Sequence, residues 1–272
     1  MVKTKNKKLL SQRHKIFYLL SVSIKRFKKY ISWHIDNKKY ASMIDTEKLK
    51  YRVKKHQSIL VRKLENVDLE LQYNKVTNIK IAINRLNGII INPNETFSFC
   101  KLVGLPTAKK GYLEGMELSF GKAKKGTGGG ICQIANLINW LIMHSPLDIT
   151  QRHHHSFDPF PDKNRILPFG SGATIFYNYI DYQFTNNTPY KFQLNFWMDS
   201  KCLHGELRVN EYLNYTYHVF EKEHQFIKID DDFYRKNQIH KEKRVRFTNE
   251  LLESKMVIKN FSKVMYEPKD IE

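Results

Sequence analysis

The stretch Thr127-Gly128-Gly129-Gly130-Ile131-Cys132-Gln133-Ile134-Ala135-Asn136-Leu137-Ile138-Asn139-Trp140-Leu141-Ile142 decides how this chain folds. Three glycines close a basic loop that opens at Lys122. Apolar side chains then recur at Ile131, Ile134, Leu137, Ile138, Leu141 and Ile142, the spacing of one helix face. The spacing predicts a helix that begins at Cys132 and ends before Pro146. At about 100° per residue, Cys132 falls off the apolar stripe and shares a flank with Asn136 and Asn139.

Working outward, strands surround this helix. Asp148-Ile149-Thr150 leads into one, which Arg152 to His155 close. Ile175, Tyr177, Tyr179 and Asp181 alternate with Phe176, Asn178, Ile180, Tyr182 and Phe184. After the turn Asn186-Asn187-Thr188-Pro189, Tyr190 to Met198 alternate again, which predicts an antiparallel hairpin with one buried face. Cys202 to Val209 adds a third strand, and Ile89-Ile90-Ile91 reads as a buried strand upstream. The expected fold class is α+β, an antiparallel sheet packed on the central helix. We expect three regions: a basic helical arm over 1–64, the domain over 65–215, and a polar extension over 216–272 that packs on the domain.

Hydrophobic residues make up 41% of the 272, enough for a core and too many for a disordered chain. The net charge of +19 is unevenly spread. Residues 1–64 hold 19 basic and 3 acidic side chains, a net of +16, which leaves +3 for the rest. A uniformly basic ribosomal or histone-like protein is thereby excluded. The arm carries no nucleic-acid module pattern, so a nucleic-acid partner is disfavoured. Within it Leu19, Leu20, Ile24, Phe27 and Ile31 recur at helical spacing, with Lys25, Arg26, Lys28 and Lys29 between them. Such a helix suits an anionic membrane surface; the alternative is a stripe that packs on the domain. Three widely spaced cysteines, Cys100, Cys132 and Cys202, argue against a disulfide scaffold. No apolar run is long enough to span a bilayer, and no small-residue cleavage site follows the apolar stretch at Ile16–Ile24. The expectation is a cytoplasmic protein, peripheral on the inner membrane face.

The candidate chemistry centres on Cys132. A helix N-terminus favours a thiolate, the reactive form. Gly128, Gly129 and Gly130 let backbone amides approach a ligand closely. His153 and His155 share one side of the following strand and could act as general base; Asp181 could orient that ring. Gln133 and Ser156 would line the site. The order Cys, His, Asp is the arrangement of transglutaminase-like and papain-like thiol enzymes, and it suits a peptidase or an acyl transferase. No cofactor is called for. A metal reading uses Cys132, His153 and His155, with Asp158 or Asp162 as a further ligand. The structural alternatives are a small core residue under a tight glycine turn for Cys132, and a turn partner for Asp181. Cys100 reads as a core filler.

Several motifs in order carry a resemblance. Asn92-Pro93-Asn94-Glu95-Thr96-Phe97-Ser98-Phe99, Val103-Gly104 and Lys110-Gly111-Tyr112 come first. Gly128-Gly129-Gly130-Ile131-Cys132-Gln133 and Arg152-His153-His154-His155-Ser156 follow. Tyr179-Ile180-Asp181-Tyr182-Gln183-Phe184 with Asn186-Asn187-Thr188 comes last. Together they resemble the VanW family over about residues 84 to 210. The resemblance implies Gram-positive bacteria and an accessory role in vancomycin B-type resistance or peptidoglycan metabolism. A cell-wall precursor or peptide-like substrate is the implied partner. The resemblance carries no established reaction. Many relatives have Asp where Gly172 stands here, which leaves Asp181 as the carboxylate for any triad.

Overall fold

The computed structural model describes residues 14–61, 68–119, 122–154, 157–158, 161 and 166–268. Its helices are α1 (Lys15–Ile35), α2 (Leu69–Ile83), α3 (Phe99–Val103) and α4 (Cys132–Met143). The strands up to the glycine loop are β1 (Lys39–Tyr40), β2 (Tyr51–Ile59), β3 (Ile89–Ile91), β4 (Glu95–Ser98), β5 (Glu114–Ser119) and β6 (Lys122–Thr127). Those after α4 are β7 (Asp148–Gln151), β8 (Phe157–Asp158), β9 (Gln183–Thr185), β10 (Phe192–Met198), β11 (Cys202–Val209), β12 (Tyr215–Ile229), β13 (Asp232–Val245) and β14 (Leu251–Val264). The class is α+β, as the sequence leads one to expect.

α4 forms where the periodicity places it. Its apolar face buries Ile134, Leu137, Ile138 and Leu141 in one core with Leu194, Phe196, Leu203 and Leu207 of β10 and β11. Each such side chain contributes roughly 1.5 to 3 kcal/mol on burial. Gly205 of β11 makes room for the helix: a Cβ there would lie 2.9 Å from a Leu137 methyl. The sheet beneath runs β2-β11-β10-β3. Leu194 pairs with Leu207 on one side and with Ile89 on the other, both antiparallel.

Two expectations need correcting. Among the described residues the helical reading of the arm holds for α1 only; Tyr51–Ile59 is a strand paired antiparallel with β11 from Ile59↔Cys202 to Tyr51↔Val209. Basic residues on its open face hide the alternation. The hairpin expected between 175–184 and 190–198 is absent. β10 pairs with β11 and β3, and only Gln183–Thr185 of the earlier stretch is a strand, in a second sheet of order β1-β4-β9-β7. There Phe184 lies opposite Phe97, their rings stacked 4.7 Å apart. Beyond residue 214 the chain forms three long antiparallel strands, β12 to β14, with β8 parallel at the edge. The Asp158–Arg235 ion pair, 3.1 Å and buried on both sides, pins this sheet to β8.

Candidate functional site

The polar flank of α4 faces an extended strap, residues 171–175. Three side chains reach it at successive turns. Asn139 Nδ2 donates to the Ser171 carbonyl at 2.6 Å. Asn136 Oδ1 accepts from the Ala173 N–H at 2.7 Å. Cys132 Sγ donates to the Ile175 carbonyl at 3.5 Å. The flank that Cys132 shares with Asn136 and Asn139 is therefore a ladder that holds an extended segment. Gly172 belongs to the same fit, since a Cβ there would lie 2.7 Å from Asn136 Oδ1.

The glycine loop is likewise committed. Gly129 crosses Gly115 so closely that a Cβ on either would overlap the other's backbone, at 2.3 Å for one on Gly129 and 2.4 Å for one on Gly115. The buried Asn78 side chain clamps the crossing, donating to the Leu113 and Gly129 carbonyls at 3.0 Å and accepting from the Leu113 N–H at 2.8 Å. The Gly128 amide donates to Leu113 O and the Gly129 amide to Gly126 O. Gly128 and Gly130 adopt φ of +82° and +93°, which favours glycine. Of the two amides expected to stabilise charge, those of Gly129 and Gly130, the first is thus already spent. Gln133 also serves the frame, donating from Nε2 to the Ile59 carbonyl at 2.9 Å and so tying α4 to β2.

Cys132 is half-buried at the start of α4. Burial pushes its thiol above the ordinary value, and the Glu117 charge adds to the rise. Desolvation outweighs the helix N-terminus here. His153 is on the surface at the end of β7, its carbonyl accepting from the Thr174 N–H at 2.7 Å. Partial burial and the nearby Lys29 lower its pKa, while Asp181 acts in the opposite direction. Asp181 acts on His153 through its charge alone, while the hydrogen bonds of its carboxylate go to other groups. His155, Ser156 and Asp162 lie outside the described residues. Asp158 is held by Arg235 and by the Tyr266 hydroxyl at 3.0 Å. Among the described residues no three His, Cys, Asp or Glu side chains gather as a metal site.

Asp181 organises a different cluster. It is fully buried. It accepts from Ser98 Oγ at 2.6 Å and from the Cys100 N–H, the Tyr182 N–H and Gln183 Nε2 at 2.8 Å each. The Cys100 thiol is pushed well above its ordinary value by burial first and then by Asp181. Above this network sit cations from outside the motifs. Lys29 Nζ donates to Gln151 Oε1 at 2.9 Å, and Lys38 Nζ to Gln183 Oε1 at 3.5 Å. Lys101 Nζ lies 4.5 Å from the Tyr40 ring centre and 5.6 Å from that of Trp33. Sequence reasoning missed Ser98, Cys100, Gln183 and the lysines. The signal available was the two-residue spacing of Asp181 with Gln183, which sets both on one side of an extended chain; Ser98 instead caps α3, and Cys100 within that helix contributes its backbone N–H.

The quoted motifs thus supply Cys132 and Arg152 to the strap, and Ser98, Asp181 and Gln183 to the carboxylate cluster. Residues 74–208 match the family model described as VanW like protein. The chain carries a VanW-family domain. Over its whole length it resembles the vancomycin B-type resistance protein VanW of Enterococcus faecalis, with 29% identity over 261 residues, 96% of this chain and 95% of that protein. It also resembles the uncharacterized protein YoaR of Bacillus subtilis, with 33% identity over 110 residues, 40% of this chain and 34% of YoaR. No solved structure matches the chain. The VanW-family domain ends at β11, while α1, β1, β2 and the long sheet β12–β14 lie outside the family match.

Proposed function

We propose that this protein is an accessory of glycopeptide resistance or peptidoglycan metabolism that binds a wall precursor without cutting it. The resistance context is carried over from the Enterococcus faecalis relative. One observation carries binding over thiol chemistry. The Cys132 Sγ donates to the Ile175 carbonyl as one rung of a ladder with Asn136 and Asn139. A wall precursor bears phosphate and carboxylate groups. Lys29, Lys38 and Lys101 offer the charge to meet them. The same reading puts the protein on the cytoplasmic membrane face, where lipid-linked precursors are made.

The second reading is a cysteine-centred amide hydrolase or acyl transferase of transglutaminase- or papain-like arrangement. It is favoured by the position of Cys132 at the first turn of α4. One experiment separates the two. In a strain whose resistance depends on the gene, Cys132→Ser keeps a donor for Ile175, so a binder retains resistance. A thiol nucleophile loses it. Loss of resistance at normal protein level and unchanged melting temperature overturns the binding reading. In parallel, Lys29→Gln with Lys101→Gln should weaken binding of a diphosphate-linked muramyl pentapeptide on the order of tenfold or more.

A further inference from the structure

α1 is turned inside out relative to an ordinary surface helix. Its 21 residues run about 31 Å. The side against the domain is partly polar. Arg26 Nε donates to the Tyr177 carbonyl at 2.9 Å, Asn178 Nδ2 donates to the Arg26 carbonyl at 3.2 Å, and Lys29 reaches Gln151. Val22 and Trp33 are the buried apolar members of that side. The opposite side is apolar and open: Ile16 is 70% exposed, Leu20 54%, Ile24 54%, Phe27 64% and Ile35 73%. These five fall within about 100° of one another around the helix. A contiguous apolar face of this size on a surface marks an interaction site.

We infer that this outward face of α1 docks on an anionic lipid bilayer. Charge decides the occupant. Lys25 and Lys28 are exposed along the same helix, and Lys3, Lys5, Lys7, Lys8 and Arg13 precede it with no acidic residue among residues 1–13. A second copy of the chain would bring one arm of net +16 against another. Anionic headgroups receive the cations while the apolar side chains enter the acyl boundary. No helix among the described residues is long and apolar enough to cross the membrane, and a helix with Lys25, Arg26, Lys28 and Lys29 in its middle lies in the interface plane. Because α1 rests on Tyr177 and Gln151, docking would hold the motif cluster about one helix diameter, roughly 10 Å, from the headgroups. The inference rests on α1 and on the charge of the arm around it, and is independent of the binding reading above.

The test is co-sedimentation of the full chain with vesicles of phosphatidylglycerol and phosphatidylcholine, and with phosphatidylcholine alone. The protein should sediment with the first, less so in high salt, and weakly with the second. Ile24→Glu with Phe27→Glu should reduce sedimentation on the order of tenfold or more, with an unchanged melting temperature. Lys25→Gln with Lys28→Gln should weaken it on anionic vesicles and leave the weak binding to phosphatidylcholine as it was. Equal sedimentation of the Glu variant and the unaltered protein overturns the inference. So does failure of the unaltered protein to bind vesicles, or a dimer in solution that the Glu substitutions dissolve without any effect on vesicles.

Discussion

The Cys132 sulfur and the Ile175 carbonyl oxygen stand 3.5 Å apart, which makes the thiol the last rung of the ladder between α4 and the strap. A thiol so placed is protonated at neutral pH, because burial and Glu117 both raise its pKa. Iodoacetamide should therefore modify Cys132 slowly near pH 7. Its rate should keep rising through alkaline pH, with an inflection above the ordinary thiol value of 9.0. An inflection near neutrality, read by mass spectrometry of the Cys132 peptide, would restore an activated nucleophile.

Asp181 receives four donors in a site without solvent. Asp181→Asn keeps the shape but turns an NH2 group toward one pair of those donors. The loss should be at least about 3 kcal/mol, since hydrogen bonds to buried charge are the costly ones to break. Urea unfolding measures it, and a loss below about 1 kcal/mol would show the network to be dispensable.

Gly129→Ala should be among the most harmful single changes in the chain. Its Cβ would lie 2.3 Å from the Gly115 backbone, and neither strand end can retreat while Asn78 clamps the crossing. A cost of about 3 kcal/mol or more follows from overpacking against fixed backbone. A urea midpoint equal to that of the unaltered protein would show that the crossing is wider in solution.

His144 gives the fold a pH dependence. Its ring is buried at the end of α4, with Nδ1 2.9 Å from the Trp140 carbonyl. Burial lowers its pKa from 6.5 to about 3, with Lys54, Lys241 and His218 acting in the same direction. The unfolded chain therefore binds a proton below about pH 6.5 that the folded chain refuses until about pH 3. Stability is present above the higher value and falls as the pH drops through that window, by roughly 4 to 5 kcal/mol in all. His144→Gln should flatten this part of the curve of unfolding free energy against pH. A curve of the same slope for both proteins would remove His144 as the cause.

The periodicity of α4 was legible because one face meets a single apolar core. Ile89–Ile91 and the β10–β11 pair were legible for the same reason. The segment from Ile175 to Tyr182 misled because it alternates without belonging to a ladder. It lies between α4, which takes Ile175, and α1, which takes Tyr177 and Asn178, so both of its sides meet protein. The strands β12 to β14 were illegible for the opposite reason: much of β14 from Leu251 to Val257 is exposed, and basic and acidic residues occupy positions where a one-sided sheet would alternate. At the site, Cys132 stood out by its glycine neighbours. Those glycines answer a backbone crossing, and the carboxylate cluster instead enlists Ser98 and Cys100 from a segment that reads as core.

The pairing of β2 with β11 has a practical side. The family match begins at residue 74, after β2 has ended. A fragment cut to 74–208 would leave the whole length of β11 as a bare sheet margin, its amides and carbonyls unmatched and open to any passing strand. Such a fragment should clump through its margin while the full chain stays dispersed. Residues 51–59, close in sequence to the helix that meets the lipid, are also the strand that covers β11.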